Sequence, residues 1–271
     1  MRAVRLHPYL DAPLPIAFAH RGGASDQPEN TLPAFAHAVS LGYRWLETDA
    51  HVTRDGHVVA FHDDILDRVT DRRGAICDLS LAEVRAADAG WSFTADGGRT
   101  FPRRGQDIRI PMLAELLESW PDVRVNIDAK SDAVVAPLAL QLRRMGVLDR
   151  VCVGSFSDAR LTRIRRLLGD SVCTSMGPRA VAAARIASWG GYMPRLGADC
   201  LQIPPAQGPI AIASPSLVRA AHRAGLQVHV WTIDDAEEME RLLDVGVDGL
   251  MTDRPEVLRD VLRVRNAWHG D

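Results

Sequence analysis

Ile16-Ala17-Phe18-Ala19-His20-Arg21-Gly22-Gly23 is a short apolar run that stops abruptly on an imidazole, a guanidinium and two glycines. A run of that length and content reads as a buried strand delivering its polar residues at its C-terminal end. Working outward, Thr31 to Leu41 carries Leu32, Phe35 and Val39 on one helical face and is closed by Gly42. Trp45 to Val52 then alternates at period two, with Glu47, Asp49 and His51 on one face and Leu46, Thr48 and Ala50 on the other. Asp55-Gly56 is a hairpin turn, and the return strand ends in His62-Asp63. Further apolar runs end near residues 129, 155, 174, 203, 231 and 252. With those ending at 19 and 51 they make eight, nearly all followed by a helix-period segment. Eight βα units in 271 residues argue for a closed parallel barrel, an α/β fold, rather than an open doubly wound sheet.

Residues 64 to about 110 break this rhythm with Asp71-Arg72-Arg73-Gly74, Ala89-Gly90-Trp91 and Asp96-Gly97-Gly98. Their apolar content is too thin for an independent core, so they are expected to form a rim insertion within a single domain spanning 1–271. A net charge of -3 offers no broad basic field for a nucleic-acid backbone, and nucleic acid is not an expected partner. No stretch has signal-peptide or transmembrane character, so a cytoplasmic protein without stable membrane insertion is expected. Cys77, Cys152, Cys173 and Cys200 form no C-x-x-C pair, and apolar packing is their expected role. Lys130 is the single lysine among 32 basic residues, which singles it out for its chemistry; an ordinary solvated lysine is the plain alternative.

Active sites of parallel barrels lie at the C-terminal ends of the strands. Those ends carry His20, Arg21, Glu47, Asp49, His62, Asp128 and Lys130, with Trp231 across the mouth. Carboxylates on the inner face of a strand are costly unless a cation meets them. Three of them make a hard oxygen site suited to Mg²⁺ or Ca²⁺ rather than a thiolate site. Two histidines and two cations complete the equipment for breaking a phosphodiester: charge neutralisation, phosphate binding, and proton transfer at both oxygens. The plain alternatives are a solvated strand edge or an arginine ion pair for Glu47 and Asp49, and rim packing for Trp231. His51 and His229 read as hydrogen-bonded structural histidines. Thr252 and Asp253 suit turn capping as well as substrate contact. No P-loop, nucleophile-elbow, dinucleotide or H-E-x-x-H motif is present.

The ordered set His20-Arg21-Gly22, Glu29-Asn30-Thr31, Glu47-x-Asp49, His62-Asp63, Leu66-Asp67-Arg68, Ile110-Pro111, Asp128-x-Lys130, Ser155-Phe156, Trp231-Thr232 and Asp248-Gly249-x-x-Thr252-Asp253-x-Pro255 resembles the glycerophosphodiester phosphodiesterase family. It runs from about residue 16 to 260. The resemblance implies a TIM (β/α)8 barrel with a small insertion after the second strand. It implies a divalent metal held by Glu47, Asp49 and the third-strand acid, His20 and His62 as an acid–base pair, and Arg21 and Lys130 on phosphate. The implied reaction is hydrolysis of glycerophosphodiesters to sn-glycerol 3-phosphate and an alcohol. Asp128 departs from the family's usual glutamate and is one methylene shorter, which bears on metal identity and affinity. Two other readings stay open: a lysophospholipase D-like or sphingomyelinase D-like activity on lipid phosphodiesters, and a non-catalytic barrel that binds a phosphorylated metabolite.

Overall fold

The computed structural model describes residues 6–194 and 196–270; the outermost residues of the expected 1–271 domain lie outside them. In chain order the strands are β1 (Ile16–Ala19), β2 (Trp45–Val52), β3 (Val58–Ala60), β4 (Arg124–Ala129), β5 (Val151–Gly154), β6 (Cys173–Thr174), β7 (Cys200–Ile203), β8 (Ala206–Gln207), β9 (Ile210–Ala211), β10 (Gln227–Val230) and β11 (Gly249–Thr252). The helices are α1 (Leu32–Ser40), α2 (Leu81–Arg85), α3 (Leu113–Ser119), α4 (Val135–Met145), α5 (Asp158–Leu168), α6 (Pro178–Ser188), α7 (Pro215–Arg223), α8 (Ala236–Val245) and α9 (Pro255–Val264). Strands β6-β5-β4-β2-β1-β11-β10-β7 lie side by side in parallel. A parallel bridge from Ser175 to Cys200 and a 3.0 Å bond from the Met176 N–H to the Cys200 carbonyl join the two ends of that order. The result is a (β/α)8 TIM barrel.

Local chemistry explains where the helices start and stop. The hydroxyls of Thr31, Ser157 and Ser214 and the carboxylate of Asp235 accept backbone N–H groups at the starts of α1, α5, α7 and α8, each such cap being worth about 1 kcal/mol. Gly146 and Gly246 take left-handed conformations after α4 and α8. The outward faces of the strands, Leu46, Val125, Ile127, Val153, Leu201 and Val228 among them, pack against the helices in one large core. Inward-facing Phe18, Cys152, Cys173, Cys200 and Met251 form a second cluster, on which the 3-10 turn of Pro8–Leu10 places Tyr9 and Leu10.

The insertion leaves after β3, which pairs antiparallel with β2. Its buried Leu66, Ile76, Val84, Ile108 and Ile110 share a small core with Val59 and Phe61 of the hairpin. The loop after β7 holds a small antiparallel hairpin, β8 with β9. Among the described residues no helix is long and apolar enough to cross a membrane.

Candidate active site

All eight side chains singled out from the sequence, His20, Arg21, Glu47, Asp49, His62, Asp128, Lys130 and Trp231, line one cavity of about 410 Å³ at the C-terminal ends of the strands. Period-two alternation puts Glu47 and Asp49 on the inner face of β2, and the parallel register sets Asp49 beside Asp128 on β4. His20 and Arg21 arrive on a tight 3-10 turn directly after β1, with Arg21 itself left-handed at φ 51°.

The two glycines of that turn serve packing. At Gly22 (φ +84°) a Cβ would lie 2.8 Å from the Ala34 Cβ and 2.9 Å from the Ala34 backbone carbon. At Gly23 it would meet the Pro255 ring at 2.6 Å. The close approach they allow is to α1 and to the start of α9, so that the turn sits low enough to present His20.

Each imidazole is tied to a carboxylate through Nδ1. His20 Nδ1 is 2.7 Å from Asp253 Oδ1, and His62 Nδ1 is 2.5 Å from Asp63 Oδ1. Asp63 is in turn gripped by Arg68, whose Nη1 and Nη2 also donate to Glu29 at 2.8 and 2.7 Å. A carboxylate on Nδ1 leaves Nε2 as the working nitrogen. His20 Nε2 stands 3.8 Å from Glu47 Oε2. Burial pulls the His20 pKa down, but the charges of Glu47 and then Asp253 outweigh it and hold the imidazole above its ordinary value.

The carboxylates are buried and differently partnered. Glu47 Oε2 accepts the backbone N–H of Arg21 at 3.0 Å. Burial first, and the charge of Asp49 second, push the Glu47 carboxyl up to about 7. Burial acts the same way on Asp49, yet Lys130 and Arg21 overcome it and hold that carboxyl below its usual value. Asp49 also accepts the Asn30 amide at 2.9 Å, while the Asn30 carbonyl receives the Thr48 hydroxyl at 2.7 Å. Thr48 thereby uses its outer-face position to fix a loop residue. Lys130 Nζ lies 3.2 Å from both Asp49 Oδ1 and Asp128 Oδ2. Asp128 Oδ1 is buried without a hydrogen-bond partner.

Arg21 is held by Glu29 at 3.0 Å and Asp49 at 3.3 Å, close to one wall of the cavity. Trp231 meets Phe156 edge to face, ring centroids 5.5 Å apart, on the opposite wall. His51, expected to be structural, bonds the His62 carbonyl through Nε2 at 3.1 Å. Reading the sequence did not assign roles to Asn30, Asp63 or Arg68 and left Asp253 between two uses. For Asp63 the signal was adjacency to His62; for Asp253, 233 residues from His20, nothing local pointed to the pair.

As a donor set for a hard cation, Glu47, Asp49 and Asp128 are all oxygen and face one cavity, and the orphaned Asp128 oxygen asks for a partner. Their oxygens do not all fall within 4.8 Å of one another, and Lys130 occupies the space between two of them. The residues present fit a divalent ion once that ammonium gives way.

Residues 20–257 match the model of the glycerophosphoryl diester phosphodiesterase family. The chain is 40% identical over 261 residues to "Probable glycerophosphodiester phosphodiesterase 2" of Mycobacterium tuberculosis, covering 94% of this chain and 93% of that one. It is 32% identical over 255 residues to a glycerophosphodiester phosphodiesterase of Caldanaerobacter subterraneus, covering 92% and 98%. Among solved structures it is similar to an Oleispira antarctica phosphodiesterase in complex with the product sn-glycerol-3-phosphate, at a TM-score of 0.74 and 26% identity, over 92% of this chain and 97% of that one.

Proposed function

Because this chain belongs to the glycerophosphoryl diester phosphodiesterase family, and is therefore a phosphodiester hydrolase, we propose that its barrel mouth cleaves glycerophosphodiesters to sn-glycerol 3-phosphate and an alcohol, with His20 and His62 as the acid–base pair. The observation that carries this reading is the pair of imidazole–carboxylate couples, His20–Asp253 and His62–Asp63, opening on one cavity with three further carboxylates. One imidazole takes a proton from the attacking water as its oxygen bonds to phosphorus, and the other gives a proton to the departing alkoxide as its P–O bond breaks. Arg21 and Lys130 bind the non-bridging oxygens, to which their charges are complementary.

Glu47, Asp49 and Asp128 would hold a divalent ion, Mg²⁺ or Ca²⁺; when bound, such an ion neutralises charge on the phosphoryl oxygens. Its support here is the all-oxygen donor set and the unpartnered Asp128 oxygen. The likeness to a phosphodiesterase whose structure holds sn-glycerol-3-phosphate supports that product for this chain.

A second reading is favoured by the far wall of the cavity, where Met176, Val181, Ala182 and Ile212 leave an apolar surface beside Trp231. That wall suits the aliphatic part of a lysolipid, and cleavage there would be lysophospholipase D-like. Both readings are tested by one panel, glycerophosphocholine, glycerophosphoethanolamine and lysophosphatidylcholine, run with chelator and with each divalent ion restored. Release of glycerol 3-phosphate that is lost with chelator and restored by an ion supports the first reading. Choline released from the lysolipid alone supports the second, and no turnover of any member overturns both.

A further inference from the structure

Behind the charged mouth lies a second cluster that the reaction does not use. Cys152, Cys173 and Cys200 point into the barrel from β5, β6 and β7, and all three are fully buried. Their sulfurs lie within 4.8 Å of one another, with 4.0 Å between Cys152 and Cys200. No other trio of His, Cys, Asp or Glu ligand atoms among the described residues is gathered so closely. Thiolates on a tetrahedral zinc sit roughly 3.8 Å apart, so shifts of about 1 Å or less bring the three sulfurs to that spacing.

Two polar atoms beside the sulfurs have nowhere else to go. His229 is completely buried, lies against Cys200, and its Nδ1 has no hydrogen-bond partner. Its Nε2 is 3.1 Å from Gln227 Oε1, so Nε2 carries the proton and Nδ1 keeps a free lone pair. The Tyr9 hydroxyl is also buried and unpartnered, within electrostatic reach of all three cysteines. A buried phenol without an acceptor is costly; a thiolate sulfur would supply one. Two residues further along the same strands, Gly154, Ser175 and Gln202 line the mouth cavity, and Trp231 follows His229 in the same way. The sulfur layer therefore sits roughly 6–7 Å below that cavity, as its floor.

We propose that Cys152, Cys173 and Cys200 bind a Zn²⁺ ion as thiolates, with His229 Nδ1, which lies outside the 4.8 Å group of the three sulfurs, swinging in as the fourth ligand, in a structural site distinct from the carboxylate site above it. On binding, three S–H bonds are exchanged for three Zn–S bonds and the protons pass to solvent. The site closes all four positions with protein ligands, as structural zinc sites do. The ion ties β5, β6, β7 and β10 together at the base of the uncharged wall of the mouth, and the Tyr9 O–H donates to one sulfur.

The test uses the full chain, purified without a histidine tag from zinc-supplemented culture and dialysed against EDTA to clear ions from carboxylates. Elemental analysis should find about one zinc per chain, kept in Cys77→Ser and lost in Cys173→Ser. Cobalt reconstitution of Cys77→Ser should give thiolate-to-cobalt charge-transfer absorption, and X-ray absorption of the zinc form should give three sulfurs at about 2.3 Å and one nitrogen at about 2.0 Å. The measurements on Cys77→Ser do not depend on whether Cys173→Ser folds. Zinc below about one-tenth equivalent after reconstitution, with every thiol free on denaturation in chelator, would overturn the proposal. So would zinc that is bound but shows only oxygen and nitrogen neighbours.

Discussion

The two halves of the barrel mouth are made of different chemistry. The ends of β1, β2 and β4 present His20, Arg21, Glu47, Asp49, Asp128 and Lys130, and the hairpin beside them adds His62. Across the cavity, the ends of β5, β6, β7 and β10 present Gly154, Ser155, Ser175, Gln202 and Trp231, with Val181 and Ile212 behind them and, among the described residues, no ionisable side chain on that wall. Charge concentrated on one side lets Glu29, Asp49 and the Arg21 guanidinium hold each other in place before substrate arrives, while the Lys130 ammonium is the group left to move. The uncharged side offers neutral hydroxyl, amide and indole donors but no group suited to general acid–base work at neutral pH. On the proposed reading it fits the alcohol part of the substrate, and the two walls should then fail differently when altered.

The largest effect belongs to the charged wall. His20→Ala and His62→Ala should each lower kcat by about 10²–10⁴-fold in a coupled glycerol 3-phosphate assay, with the circular dichroism spectrum unchanged. A loss below about tenfold for either would break the division between the walls. Next come the carboxylates behind the imidazoles: Asp253→Asn and Asp63→Asn keep the shape but let the ring turn or change tautomer. Each should cost roughly 10²-fold in kcat with KM little changed. Equal losses in both parameters would make them binding residues instead.

On the uncharged wall, Val181→Ser and Ile212→Ser should change KM by roughly tenfold for any lysolipid substrate while leaving kcat for glycerophosphoethanolamine within about threefold. Equal effects on both substrates would sharpen the comparison in the other direction, by assigning that wall to the glycerol.

The smallest effect is one of stability. Burial works against the Asp63 charge, but Arg68 and then His62 hold its carboxyl down to about 2, below the ordinary 3.8. Above pH 3.8 the group is ionised folded or unfolded, and the Arg68–Asp63–His62 contacts contribute in full. Between there and about 2 the unfolded chain takes up the proton first, so that contribution shrinks as pH falls and is gone below the folded value. In acid-unfolding titrations, the gap in stability between the native chain and Asp63→Asn should stay constant above pH 4 and close by about pH 2. A gap that persists below that would place the stabilisation elsewhere.

Much of the barrel was legible because its signals are local and periodic. Strand alternation placed Glu47 with Asp49 on one face, a statement that needs no residue far away in the chain. Two local readings changed meaning in three dimensions. Gly22 and Gly23, which in sequence only mark the end of the first apolar run, make room for α1 and Pro255. Thr48, on the outer face of β2, holds Asn30, which in turn holds Asp49. The widely spaced cysteines show nothing together in sequence, since each sits alone in an apolar run. Only closure between β6 and β7 sets Cys200 beside Cys152 and Cys173.

Taken alone, the amino-acid sequence determined that eight short apolar runs alternate with helices, and which acids, bases and cations stand at the ends of those runs. Period and turn chemistry act over a few residues, so a linear reading captures them. Tertiary structure decided which of those groups touch: that Asp253 at the end of the last strand meets His20 at the end of the first, that Lys130 stands between Asp49 and Asp128, and that three distant sulfurs come within 4.8 Å of one another. Such pairings follow from barrel closure and strand register, which depend on the whole chain packing at once and leave no mark on any short segment of it.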